Sequence, residues 1–291
     1  MGSGYFARSW AALRSIPHWI GKLLLLSLVS LIPIFGIIAV GGYLWGWARD
    51  AAWGLENPLP EHIFGNEDGH QYSRGLFAWL IAFVFSLVPG VLSFVITMLF
   101  GFSTAGLASW VSDWAFSGFI FSFGAVFSLV VFAALVALSV GVAFLSWVGI
   151  IRMSIYATLS SGFGLGKLWA MIRRDPVGLL KILGMQILGS VVASLVVGFA
   201  LLVLCILAFL GFFMISLVTA SGPSSFSVMV ILVVVGFFAL AFVFAFAMVS
   251  AFATILVEAL VCRAVGYWTA QFQVAQWRGQ NDPLPFEIQY Q

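Results

Sequence analysis

The chain has 291 residues, of which 63% are hydrophobic and only 8% charged, with a formal net charge of +2. A soluble globular protein carries about 25% charged residues, so a water-facing surface cannot be assembled from this composition and a soluble domain is excluded. The period-2 alternation of outer-membrane strands is absent, which leaves helices as the way a backbone satisfies itself in a bilayer.

The first element, residues 4–16, reads as a short basic amphipathic helix carrying Arg8, Trp10 and Arg14. Residues 18–47 follow, apolar after Lys22 but interrupted at Pro33 and Gly36. The run does not end on a small-residue cleavage site, so it is expected to stay attached rather than act as a signal peptide. One helix over this stretch would be about 45 Å long, and two full spans need about 40 residues. Thirty residues broken by proline fit a re-entrant hairpin; the competing reading is one ordinary span, which would place the N-terminus outside. Residues 48–75 are the most polar stretch.

Apolar runs at 76–102, 117–151, 182–219 and 226–262 are each long enough to cross a hydrocarbon core, which takes about 18 or more residues. Pro89-Gly90 is expected to break the first of them. Between the second and third lies a basic segment with Arg152, Lys167, Trp169, Arg173, Arg174 and Lys181. All twelve Lys and Arg fall at 8–22, 49–74, 152–181 and 263–278, and none in the loops at 103–116 and 220–225. The positive-inside rule then puts both termini in the cytoplasm of a plasma (inner) membrane protein. Reporter tags at Ser109 and Gly222 both landing in the cytosol would defeat that topology.

An internal repeat is visible at one offset: Trp10, Ala11, Arg14 and Pro17 match Trp169, Ala170, Arg173 and Pro176, while Arg8 meets Lys167 and Lys22 meets Lys181. Downstream, Gly42-Tyr43 leads to Asn57-Pro58-Leu59-Pro60-Glu61, and Gly266-Tyr267 to Asp282-Pro283-Leu284-Pro285-Phe286-Glu287. The expected architecture is therefore an all-α integral membrane protein with one transmembrane domain over 1–291. It has about four full spans, a Pro-broken re-entrant hairpin, two interfacial amphipathic helices and a degenerate parallel repeat (units 4–65 and 163–290, central hairpin 76–151). In the second amphipathic helix Leu165, Leu168, Trp169 and Ile172 share one face by their i, i+3, i+4, i+7 spacing. Its cations, with those of the first copy, are expected near anionic lipid headgroups.

Few residues point to chemistry. Glu258 is an intramembrane carboxylate, read either as a proton or cation relay or, preferred, as an acid near the cytoplasmic interface paired with Arg263 or Arg152. Gln186 is a second candidate intramembrane polar group. Asp113, between Trp110 and Trp114, reads as a solvated loop acid. His62 and His70, with Glu61, Glu67 and Asp68, match no metal-ligand spacing and read as a polar loop, and His18 reads as interfacial. Cys205 and Cys262 stand alone in apolar surroundings. No phosphate loop, nucleophile elbow or paired-His motif occurs. Ser190, Ser194 and Gly198, and Gly42 with Gly46, read as helix-packing positions. No catalytic residue, metal or cofactor is expected; a pigment or quinone among the phenylalanines is the alternative. Nucleic acid is not an expected partner, whereas other membrane subunits or a second copy are.

The pattern resembles a family of bacterial and archaeal multipass membrane proteins classed as a domain of unknown function. Its members are similar in opening with a basic amphipathic helix and a Pro-interrupted hydrophobic segment, followed by Gly-Tyr and a Pro-Glu acidic loop. Here the matching residues are Pro33, Gly42, Tyr43, Leu59, Pro60 and Glu61, with Gly75 opening the next span. A second likeness is Arg152-Met153-Ser154-Ile155-Tyr156-Ala157 with Gly162-Phe163, then Arg173-Arg174-Asp175-Pro176. The family shows Trp-Asp-Asp after Pro-Glu; this chain has His62-Ile63-Phe64 and delays its acids to Glu67-Asp68. The resemblance implies a fold and no assigned activity. The function expected from these features is that of a non-catalytic scaffold, accessory subunit or membrane-shaping factor. The alternative is a carrier or channel for a small or lipid-like substrate.

Overall fold

The computed structural model describes the backbone of residues 4–60, 62–66, 68–110, 114–220 and 225–288, with side chains described outside 100–125, 214 and 217–232. Among the described residues all regular structure is helical. The helices are α1 (Tyr5–Arg14), α2 (Trp19–Ser30), α3 (Phe35–Ala52), α4 (Gln71–Trp110), α5 (Trp114–Tyr156), α6 (Leu165–Arg174), α7 (Pro176–Ala220) and α8 (Ser225–Ala270). Asp113, Glu61, Glu67 and the turn at 221–224 lie outside the described residues.

Proline sets most of the breaks. Pro17 follows α1, and α2 leaves at 97° to it; Pro176 is the first residue of α7, where its missing N–H has no intrahelical partner to lose. Pro33 separates α2 from α3, and Ile34 next to it takes a φ of 64°, a left-handed value costly for a β-branched side chain. Pro89 behaves otherwise. The expected break is not there, because α4 runs on through it. The proline frees only the Phe85 carbonyl, and in a run apolar on both sides nothing competes for the backbone, so the helix persists.

Among the described residues four helices carry stretches long and apolar enough to cross a membrane: Gln71–Leu99, Val126–Tyr156, Pro176–Phe213 and Val233–Ala270. Each reaches beyond the run expected from sequence, because it continues out of its apolar stretch into a packed body. By contrast α2, at 12 residues, is about 18 Å long, shorter than a hydrocarbon core of about 30 Å.

The chain forms two compact units, Met1–Gly75 with Val177–Ala275, and Leu76–Pro176 with Gln276–Gln291. In the first, α1, α2 and α3 all pack on α8. Leu13, Leu23, Leu26, Leu44, Trp47, Ile182, Ala259 and Trp268 are buried there. Close backbone approaches at Gly266 and Gly42 require glycine. A Cβ on Gly266 would lie 2.8 Å from Ala51 Cβ and 3.0 Å from the Ala48 carbonyl carbon, and a Cβ on Gly42 would lie 2.9 Å from the Gln71 carbonyl carbon. The α3–α8 and α3–α4 crossings are therefore built on absent side chains.

In the second unit α5 packs on α6 and on a 3-10 turn at Leu159–Phe163. Ile81, Val148, Ile151, Met153, Leu168 and Met171 form its core. Elsewhere α7 and α8 expose mostly apolar side chains: Leu195 of α7 is 69% exposed, and Phe237 and Leu240 of α8 are 70% and 72% exposed. A helix with no polar face has lipid as its natural surrounding.

Candidate functional site

The ionisable side chains buried in each body gather where a helix end meets an irregular strap. In the first unit the strap is residues 53–60, and Arg263 of α8, fully buried, reaches across to it. Its Nη1 donates to the Trp47 carbonyl at 2.7 Å, and its Nη2 to the Leu55 and Asn57 carbonyls at 3.2 and 3.5 Å. Its Nε donates to Tyr267 Oη at 3.2 Å. The guanidinium also lies over the Trp47 ring at 4.6 Å and the Tyr267 ring at 5.0 Å. Trp47 returns a bond from Nε1 to the Asn57 carbonyl at 3.0 Å. Arg8 of α1 closes the arrangement, 4.1 Å from the Tyr267 ring centre and paired with Glu56 at 3.3 Å.

The second unit holds a similar construction. Arg152 of α5, 1% exposed, donates from Nη2 to the Gln280 carbonyl at 3.3 Å and stands over the Tyr156 and Trp277 rings at 5.4 and 5.3 Å. Tyr156 Oη donates to the Gly279 carbonyl at 3.3 Å. Lys167 of α6 pairs with Glu287 at 2.9 Å. Burial alone would raise the Glu287 carboxyl, but the Leu284 N–H and the Lys167 ammonium outweigh it and hold the pKa below the usual range. The difference between the two sites is saturation: Arg263 meets three carbonyls, whereas Arg152 meets one and its Nε has no partner. Both share the pattern Arg-x-x-x-Tyr, a spacing that sets both side chains on one helix face. Sequence reasoning missed it, although the pattern occurs twice, at 152–156 and 263–267.

A second polar cluster ties the loop between α3 and α4. Asp68 accepts from Arg49 at 2.9 Å and from Arg74, and Arg74 also donates to the Gly42 carbonyl at 3.4 Å. Burial pushes the Asp68 carboxyl upward, yet the bond and charge of Arg74, the His70 N–H and the Arg49 charge bring its pKa down to about 2. Among the described residues no group of three metal-donor side chains forms.

The residues singled out from sequence fall into three groups. Lys22 is used internally, donating to the Leu59 and Pro60 carbonyls at 3.3 and 3.5 Å, as Arg8 and Lys167 are in their pairs. Trp10 stacks on Phe6 and meets Trp19 edge-on. Arg14, Arg173, Arg174, Lys181 and Trp169 are exposed. The expected apolar face of α6 divides, with Leu168 and Ile172 in the core and Leu165 and Trp169 turned outward. Glu258 is exposed on α8 and has no ion pair among the described residues; Arg263 and Arg152 are engaged as above. Gln186 is half-buried on α7.

The motif residues acquire physical roles. Gly42 and Gly75 form one crossing, each occupying space the other's Cβ would need. Tyr43 Oη donates to the Pro60 carbonyl at 2.7 Å, and Leu59 is buried beneath the strap. Residues 25–205, more than half of the chain, match the model of a family described as a protein of unknown function, DUF4013. No curated protein and no solved structure matches. With four helices apolar and long enough to cross a bilayer, the chain is a multipass membrane protein and belongs to the DUF4013 family.

Proposed function

We infer that this is a non-catalytic protein of the inner membrane that works by position, as a scaffold, accessory subunit or membrane-shaping factor. The carrying observation is where its ionisable groups are used. Arg263, Arg152, Arg74 and Asp68 are bonded to backbone or to one another and hold straps onto helix ends. The cations left outward, Arg14, Arg173, Arg174 and Lys181, suit anionic headgroups on the cytoplasmic side. The parallel repeat is supported by Arg8–Glu56 and Lys167–Glu287, each tying an amphipathic helix to a residue next to a Pro-Leu-Pro segment, though Glu56 precedes its segment and Glu287 follows its own. The re-entrant reading of α2 and α3 is supported by the exposed apolar tip Leu31, Ile32, Ile34, Phe35 and Ile37.

The test is a flux assay. The purified chain is reconstituted into phosphatidylethanolamine–phosphatidylglycerol vesicles. Proton, cation and small-solute permeabilities are compared with protein-free vesicles. Unchanged permeability is expected. A saturable flux that Glu258→Gln abolishes overturns the reading in favour of a carrier, which is favoured by one observation, the polar residues Ser250, Thr254 and Glu258 four apart on α8.

A further inference from the structure

Several polar groups of the α7–α8 pair, Gln186, Ser190 and Ser194 on α7 and Ser250, Thr254 and Glu258 on α8, lie on one flank. The two helices touch where Gly189 faces Val257, a Cβ on Gly189 lying 3.2 Å from Val257 Cγ2. These positions are almost equally far from the end of α7 at Ala220 and the start of α8 at Ser225. Only four residues join those ends, so the helices run antiparallel. A helix turns about 100° per residue. Counted from Gly189, Gln186, Ser190 and Ser194 lie about 60°, 100° and 140° round α7. Counted from Val257, Thr254 and Glu258 lie about 60° and 100° round α8, with Ser250 nearer the contact. Equal rotation on antiparallel neighbours brings both sets to the same side.

That side is open. Ser190, Ser194, Thr254 and Glu258 are exposed. Glu258 has neither an ion pair nor a hydrogen bond among the described residues, and the buried Oγ of Ser250 has no partner either. The flank also enters the span. With Gly189 opposite Val257, Lys181 of α7 is level with position 265, about 10 Å to the cytoplasmic side of Glu258, while Ser250 lies about 12 Å deeper. Hydrocarbon is a poor neighbour for a carboxylate, and intramembrane acids pair with cations or donors.

We propose that this flank docks a membrane-spanning helix of another protein. That helix carries Lys or Arg one or two turns inside its cytoplasmic end to meet Glu258, with small or hydroxyl residues beyond to lie against Ser190, Ser194 and Thr254. The inference rests on the accessory-subunit form of the proposed function. Charge complementarity selects this occupant over a second copy of the chain. A two-fold axis along the membrane normal would set Glu258 against Glu258, and two carboxylates meet only if one takes up a proton. Small and hydroxylated positions permit the close approach that drives association in lipid.

A photoreactive benzophenone amino acid placed at Ser190 of the full chain, in native membranes, tests the proposal. Leu188, 66% exposed and about 100° the other way from Gly189, supplies the control flank. Illumination is expected to give a discrete protein adduct from position 190 and none from 188, with the crosslinked span carrying a cation near its cytoplasmic end. Glu258→Lys should reduce the adduct by about tenfold, because a charge opposed at a dry interface is repelled, and exchange of the partner's cation for Glu should restore it. Glu258→Gln and Thr254→Leu probe the same flank if the lysine variant fails to fold. Adducts only between two copies, equal adducts from both flanks, lipid adducts alone, or indifference to Glu258→Lys each overturn the proposal. Loss of the adduct with permeability unchanged removes this inference and leaves the scaffold reading standing; solute flux removes the scaffold reading itself.

Discussion

Replacing Arg263 and Arg152 by methionine, one at a time, should give unequal results, and the inequality follows from counting bonds. Methionine matches the volume and removes the charge. At Arg263 it deletes bonds of 2.7 and 3.2 Å to the Trp47 and Leu55 carbonyls, the longer one to Asn57, and the 3.2 Å bond to Tyr267 Oη. The Asn57 carbonyl keeps Trp47 Nε1, so the Leu55 carbonyl suffers most. Hydrogen bonds to a charged donor contribute about 1.5–3 kcal/mol each. Removing a buried charge returns part of that sum as relieved desolvation, leaving a net loss of about 2–4 kcal/mol. At Arg152 one carbonyl bond of 3.3 Å is lost, a buried cation with an unpartnered Nε disappears, and the net is about 0–1 kcal/mol. The ring contacts are closer at Arg263, 4.6 and 5.0 Å, than at Arg152, 5.4 and 5.3 Å, which adds to the inequality. Hydrogen–deuterium exchange of the detergent-solubilised chain reads the two straps separately. Arg263→Met should speed exchange over 53–60 by roughly 30-fold or more, and Arg152→Met should change residues 277–284 by about fivefold at most, since 1.4 kcal/mol is a factor of ten. Equal acceleration in the two straps, or an unchanged 53–60 segment in Arg263→Met, refutes the argument that carbonyl bonds set the strength of these clamps.

Gly42→Ala and Gly75→Ala must each push α3 and α4 apart, and should destabilise by about 2 kcal/mol or more. Gly41→Ala, whose Cβ meets nothing within 4 Å, should be neutral or stabilising by about 0.5–1 kcal/mol from helix propensity; melting followed by tryptophan fluorescence separates them. The contribution of Asp68, whose pKa is depressed to about 2, is present above the unfolded carboxyl range and lost as pH falls through about 2. The difference in melting temperature between the native chain and Asp68→Asn should be constant from pH 7 to about 4 and vanish near pH 2. A difference that collapses by pH 5 would mean Asp68 is not held by Arg74 and Arg49. Double-mutant cycles should find coupling of about 0.5 kcal/mol for Lys167–Glu287. Arg8–Glu56, with side chains 45% and 66% exposed, should couple no more strongly than Lys167–Glu287.

The spans were legible because uninterrupted apolar runs have few other uses, but their ends were not. Arg263 looks like the end of a membrane run, yet α8 continues to Ala270 because the cation leaves hydrocarbon for a ring of carbonyls that no local sequence window contains. Pro33 and Pro89 read alike as breaks. Only Pro33 breaks its helix, where Gly36 must also tuck against the backbone of Val29 and Ser30. The 3.6-residue period found the apolar face of α6, but a period cannot distinguish protein from lipid. Leu168 and Ile172 are buried in protein, whereas Leu165 and Trp169 are exposed. Lys22, Arg8 and Lys167 looked like headgroup cations for the same reason: a basic residue beside an apolar run has the same local appearance whether it meets a phosphate or a strap carbonyl.

What distinguished structural from available groups was the long-range partner. Arg263 reaches residues more than two hundred positions away, and its role follows from the fold returning the strap to the end of α8. Glu258 sits five residues earlier on that helix and has no ion pair or hydrogen bond among the described residues. In a chain this poor in charge, a carboxylate left without an internal partner on an apolar helix is a cost that folding alone does not offset. The same accounting that assigns Arg263 to stability underlies the proposal that Glu258 meets a partner. If Glu258→Leu were to raise stability in detergent while leaving every association of the protein intact, that division between inward and outward charges would be wrong.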